Sequence, residues 1–201
     1  MTLRFLLPVG GVTDDRFGVL VAPASYGVPA GIVAGMAWAA DNQAFTQCFN
    51  PGVFFPWLES LLPYRDNCLF VAVPDVVGDP IQTGANYRHW MRYFEGWPVA
   101  FVAQDGQEDL PMPDYYDALF IGGSTRWKES QGAIDCIRRA QQAGKHIHIG
   151  RVNWRRRYEL FSVLDGSDRF TCDGTRTRYD GTKKAMAAWA GYMAQPPLIT
   201  I

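Results

Sequence analysis

Three aspartates, Asp41, Asp75 and Asp173, stand at or just beyond the ends of short apolar runs of the chain. Two carboxylates facing one pocket can divide a displacement reaction between nucleophile and general acid or base, and cleaving a glycosidic bond needs both tasks. One aspartate in such a place serves equally well to cap the next helix or hold a turn. Three of them, with Gln104 in the same kind of position, point to a shared site. Gln104-Asp105-Gly106 sets an amide donor and acceptor beside a carboxylate, which suits the hydrogen-bonding edge of a purine-like ring. Gly122-Gly123 lets backbone groups approach a flat ligand closely.

A second chemistry is cationic. Arg151, Asn153, Arg155, Arg156 and Arg157, followed by Arg176, Arg178, Lys183 and Lys184, concentrate phosphate-contacting groups late in the chain. Trp154 and Tyr179, interleaved among them, could stack on exposed bases. A solvated basic helix face would carry the same residues. Formal net charge is −1, but its distribution is uneven. Residues 1–122 hold 5 Lys/Arg against 13 Asp/Glu, and residues 123–201 hold 14 against 7. Either a polyanionic partner meets the later part, or two parts of one domain carry complementary charge.

Other functions find little support. His146 and His148 alternate on one strand and face the same way, but with no third ligand in view no metal site is expected. Cys48, Cys68, Cys136 and Cys172 are scattered without a C-x-x-C, so reduced thiols in a cytoplasmic protein are expected rather than zinc or disulfides. No apolar run reaches the roughly 20 residues of a membrane span, and the first residues lack a signal h-region.

The elements that must position these groups alternate. Candidate strands are residues 5–9, 19–23, 36–40, 69–73, 99–103, 118–121, 146–149 and 169–172. Helical patterns fall at 53–62, 82–94, 128–143, 154–164 and 182–193, bounded by Gly and Pro. Strand–helix alternation means an α/β chain with a mainly parallel sheet, and residues 1–201 read as one domain. An open doubly wound sheet competes with a closed barrel, though no G-x-G-x-x-G supports dinucleotide binding. A chain of 201 residues is at the lower limit for eight βα units, so some helices must be short or missing, most obviously between Gln107 and Asp117.

The order Asp41-Asn42-Gln43-Ala44-Phe45, Val73-Pro74-Asp75, Phe101-Val102-Ala103-Gln104-Asp105-Gly106 and Ile121-Gly122-Gly123 resembles the tRNA-guanine transglycosylase superfamily. Those enzymes carry a D-S-G-G-F-Q segment, a base-binding Asp, an F-G-I-V-Q-G-G segment and a G-G-L motif. Their nucleophilic Asp follows in F-D-C-V-x-P-T-R, to which Phe170-Thr171-Cys172-Asp173-Gly174-Thr175-Arg176 is similar in shortened form. Aligning on Phe puts Thr171 at the nucleophile, and aligning on Thr-Arg puts Asp173 near it; a threonine without a base is a poor nucleophile, which selects Asp173. The zinc-binding segment of the tRNA enzymes is absent, and the length is nearer the DNA-directed DpdA-like relatives of phages and bacterial islands.

The resemblance implies a compact (β/α)8 TIM barrel without a zinc subdomain or cofactor, exchanging guanine in nucleic acid, DNA in preference to tRNA, for a free 7-deazaguanine. It implies Asp173 as nucleophile, Asp41 as proton shuttle, and Asp75, Gln104, Asp105, Gly122, Gly123, Asn42 and Phe45 around the base. An N-glycosidase that uses water, and a non-catalytic nucleic-acid-binding barrel, are the alternatives.

Overall fold

The structure, a computed structural model, describes residues 3–8, 13–23, 27–46, 48–164, 169–175 and 181–195. Eight parallel strands close into a barrel in chain order: β1 (Arg4–Leu7), β2 (Gly18–Val21), β3 (Trp38–Ala40), β4 (Cys68–Ala72), β5 (Val99–Ala103), β6 (Ala118–Ile121), β7 (His146–Ile149) and β8 (Phe170–Asp173). β8 pairs with β1, setting Phe5 opposite Cys172 and Leu6 opposite Asp173. Closure pairs both edges that an open sheet would expose. The protein is a compact (β/α)8 barrel of the TIM type.

The helices are α1 (Ala30–Val33), α2 (Pro51–Glu59), α3 (Pro80–Trp90), α4 (Thr125–Lys128), α5 (Gln131–Gln142), α6 (Arg155–Ser162) and α7 (Thr182–Met193). Between β5 and β6 only the 3-10 turn Gln107–Asp109 forms, in the interval where Pro111 and Pro113 interrupt the pattern. The helix expected over 128–143 is in fact two. Ser130 accepts a hydrogen bond from the Ala133 N–H and starts α5 afresh, as Ser124 does for α4 through Trp127 N–H. Lys128 thus ends a separate four-residue helix instead of opening a long one.

Outward-facing strand residues such as Phe5, Val19, Trp38, Val71, Phe101, Leu119, Ile147 and Cys172 join the helices in the main core. Inward-facing Leu6, Leu20, Ala39, Phe70, Ala100 and Ala118 form a second cluster that fills the barrel. On β7 and β8 the inward positions are polar: the Phe70 ring lies 5.8 Å from His146 and 5.0 Å from His148, and Phe120 lies 4.5 Å from His148. The two-residue period of a strand carries this inner face upward. It runs from Ala39 to Asp41, Val102 to Gln104, Phe120 to Gly122, His148 to Gly150 and Thr171 to Asp173.

Candidate active site

A cavity of about 520 Å³ opens at the C-terminal ends of the strands. Its wall includes Asp41, Asp75 and Asp173, together with Asn42, Phe45, Gln104, Gly122, Gly123, Lys128 and Arg151. A volume of this order suits a small ligand, and this end of the barrel is where barrel enzymes do their chemistry.

The three carboxylates are held differently. Asp173 is 9% exposed, and its Oδ1 accepts the Arg151 backbone N–H at 2.8 Å and faces His148 Nε2 at 3.3 Å. Burial opposes its ionisation, but His148, the Arg151 N–H and the charge of Lys128 together hold its pKa below the ordinary carboxylate range. Among the described residues Asp41 accepts only the Gln43 N–H, at 2.9 Å. Burial, reinforced by the charges of Asp173 and Asp75, raises its pKa to about 6 despite that hydrogen bond. Asp75 is clamped by two amides: Asn42 Nδ2 donates to Oδ1 at 2.8 Å and Gln104 Nε2 to Oδ2 at 2.6 Å, while burial pushes its pKa up.

The amides are mostly spent on the scaffold. Gln104 Oε1 accepts from the N–H groups of Gly78 and Gly123, both at 3.0 Å, so one side chain ties three loops together. Asn42 Nδ2 also donates to Val73 O at 2.9 Å, and its Oδ1 accepts from Ala44 N–H at 2.7 Å. Asp105 does not reach the cavity wall. Its oxygens take Ser124 N–H and Oγ–H, each at 2.6 Å, and latch the turn into α4. Gly122 is required by close packing, since a Cβ there would lie 3.0 Å from both Ala103 O and Gln104 Nε2. Gly123 has φ +63°, a left-handed backbone that favours glycine.

Among the described residues two other than glycine share that left-handed region, Gln43 (φ 63°) and Arg151 (φ 60°), and both line the cavity. Each costs on the order of 1 kcal/mol, a strain that concentrates at functional sites. At Arg151 it aims the N–H at Asp173 while the guanidinium lies 4.2 Å from the ring centre of Phe45 and donates to Gly123 O at 2.5 Å. Phe45 is 62% exposed, so this cation–ring pair forms an exposed part of the cavity rim.

Of the other expected cations, Arg155 is paired with Glu159 at 2.6 Å, and Arg157 with Glu129 at 2.6 Å. Arg156 is exposed and makes no ion pair among the described residues. Asn153 Oδ1 accepts from Thr175 N–H at 2.8 Å, joining the loops after β7 and β8. Arg176 and Arg178 lie outside the described residues. Among the described residues no group of three or more His, Cys, Asp or Glu is placed to hold a metal ion, and no helix is long and apolar enough to cross a membrane.

Sequence reasoning missed Lys128. It is 2% exposed, lines the cavity and donates from Nζ to Gly150 O at 2.6 Å. Burial, with the nearby Arg151, brings its pKa down to about 7. Its pattern position reads as the first turn of an exposed helix, so nothing local marked it. Thr171, the competing nucleophile position, is buried one strand step below Asp173, among the histidines. Comparison of the chain with protein-family models, curated proteins and solved structures finds no match in any of the three.

Proposed function

We propose that this barrel is a base-exchange transglycosylase, replacing guanine in nucleic acid, DNA in preference to tRNA, with a 7-deazaguanine. One observation carries the reading: a single cavity holds two carboxylates of opposite proton habit, Asp173 kept ionised and Asp41 with a pKa of about 6. Such a split is how paired carboxylates divide into nucleophile and acid/base. Asp173 attacks C1′ of the sugar; the C1′–N bond breaks, its electron pair leaves with the base, and Asp41 supplies the proton the base needs. In the return step the incoming base gives its proton to Asp41 and displaces the aspartyl ester.

Asp75, whose clamp of Asn42 and Gln104 fixes its plane, accepts from the N–H groups on the purine edge. The target nucleotide leaves its stack to enter the cavity, and Arg151 at its wall and the exposed Arg156 supply cations for phosphates. The four free thiols fit a cytoplasmic setting.

The test is exchange of labelled guanine, or of a labelled 7-deazaguanine, into DNA and tRNA. Asp173→Asn should lower exchange by at least about 10³-fold, the scale of losing a nucleophile. Undiminished exchange by that variant sinks the assignment. Abasic sites without incorporation would make water the acceptor, and no base release from any nucleic acid or nucleoside would leave a binding barrel.

A further inference from the structure

The barrel interior beneath Asp173 contains a continuous polar chain. His146 Nε2 lies 2.9 Å from Thr171 Oγ1, Thr171 Oγ1 lies 2.9 Å from His148 Nδ1, and His148 Nε2 lies 3.3 Å from Asp173 Oδ1. His148 is fully buried and Thr171 is 2% exposed, with the Phe70 and Phe120 rings packed on His148. A buried aliphatic layer would fill a barrel at lower desolvation cost, so three polar side chains in succession ask for a reason.

Proton counting orders the chain. An ionised carboxylate only accepts, so His148 Nε2 carries a hydrogen. In the neutral ring Nδ1 is then an acceptor, and the Thr171 hydroxyl must donate to it. The other possible acceptor for that hydroxyl, Ile147 O, is farther away at 3.5 Å. With its hydrogen spent, Thr171 Oγ1 accepts from His146 Nε2–H. Burial, with the nearby charges of Arg169 and Arg4, keeps His146 neutral, with a pKa of about 3, consistent with that role. Each hydrogen bond then points toward Asp173.

We propose that His148 is a positioning residue for Asp173, held in its Nε2–H form by the His146–Thr171 relay, and that Asp173 attacks through Oδ2. This rests on the reading of Asp173 as the nucleophile. Oδ1 takes both donors, His148 Nε2–H and Arg151 N–H, whereas Oδ2 has no hydrogen-bond partner among the described residues and belongs to a carboxylate on the cavity wall. In the displacement the Oδ2–C1′ bond forms as the C1′–N bond breaks, and Oδ1 becomes the ester carbonyl oxygen. The same two donors remain on Oδ1 and receive the charge when the ester is displaced in the return step, as preorganised donors do for a developing oxyanion.

Two measurements on the intact chain test the relay. Imidazole ¹⁵N spectra should find Nε2 of His148 protonated, with a resonance that moves in Asp173→Asn; an unprotonated Nε2, or one indifferent to that substitution, overturns the proposal. Thr171→Val, which removes only the hydroxyl, should lower kcat on the order of ten- to a hundredfold with KM unchanged, the scale of losing a group that orients a reactive ligand. Thr171→Ser should restore kcat and the His148 spectrum. Wild-type kcat in Thr171→Val, or a serine variant as impaired as valine, would reduce the chain to packing. Full exchange by Asp173→Asn would sink the transglycosylase reading, whereas the spectra judge the relay independently.

Discussion

Asp41 illustrates how a site residue works against stability. Its carboxyl has a pKa of about 6 in the native state, while an unfolded aspartate ionises near pH 4. Between those values the native protein binds more protons than the unfolded chain, so its stability falls as pH rises through the window. Below about pH 4 both states are protonated and Asp41 carries no penalty. Asp41→Asn keeps an acceptor for Gln43 N–H and removes the charge. Urea unfolding should therefore find the variant more stable by about 1–3 kcal/mol at pH 7.5, discounted for partial exposure, with the gain vanishing near pH 4. Base release by the same variant should drop steeply, because the leaving base loses its proton donor. A gain independent of pH would mean that the environment of Asp41 does not burden its charge. Lys128 carries the converse burden, a cation in the cavity wall whose pKa burial lowers to about 7.

At the level of elements, the loops after β5 and β6 matter most. Asp105 holds Ser124 through two hydrogen bonds, and the adjoining Gly123 contacts both Gln104 Oε1 and the Arg151 guanidinium. Asp105→Ala should cost about 0.5–1.5 kcal/mol of stability through the lost hydrogen bonds to the exposed Ser124, whose donors then turn to water. It should also lower kcat/KM by displacing Gly123 and with it Arg151, although Asp105 touches no substrate. Thermal unfolding combined with steady-state exchange checks both halves; a variant that loses stability but keeps kcat/KM would separate the latch from the site. The neighbouring break between α4 and α5 has a similar consequence. Had residues 128–143 formed one helix, Lys128 would belong to its solvent-facing start; the Ser130 cap instead lets α4 turn Lys128 toward Gly150.

For the molecule as a whole, the uneven charge becomes a statement about binding. The basic run after β7 is partly neutralised internally, since Arg155 and Arg157 have carboxylate partners. Arg156 is exposed without one among the described residues, so it is the residue of this run most available to phosphate. Titration of labelled DNA over a range of salt should show log K falling with log salt, and Arg156→Ala should make that slope shallower by about one. Arg155→Ala should change it less, because Glu159 already occupies that guanidinium. Equal slopes for wild type and Arg156→Ala would place the phosphates elsewhere.

Much of the barrel was legible along the chain because parallel strands buried on both faces are short apolar runs that stop abruptly at polar loops. Val99–Ala103, Ala118–Ile121 and His146–Ile149 have the same limits in sequence and structure, as does the helix Thr182–Met193. Those abrupt stops also marked Asp41, Asp75, Gln104 and Asp173, which meet at one cavity once the ring closes. Inner and outer faces could not be told apart locally, since Phe70 inside and Val71 outside are equally apolar. β7, with its His-Ile-His-Ile alternation, and β8, with Phe-Thr-Cys-Asp, carried a trace of the difference. That Thr171 joins two histidines beneath Asp173, that Lys128 enters the cavity wall and that Asp105 serves a turn all depended on β8 pairing with β7 and β1, on a serine interrupting a helix, and on two loops meeting. Each is a contact between residues 19 to 25 positions apart or a choice between competing hydrogen bonds, and neither kind of information resides in local pattern.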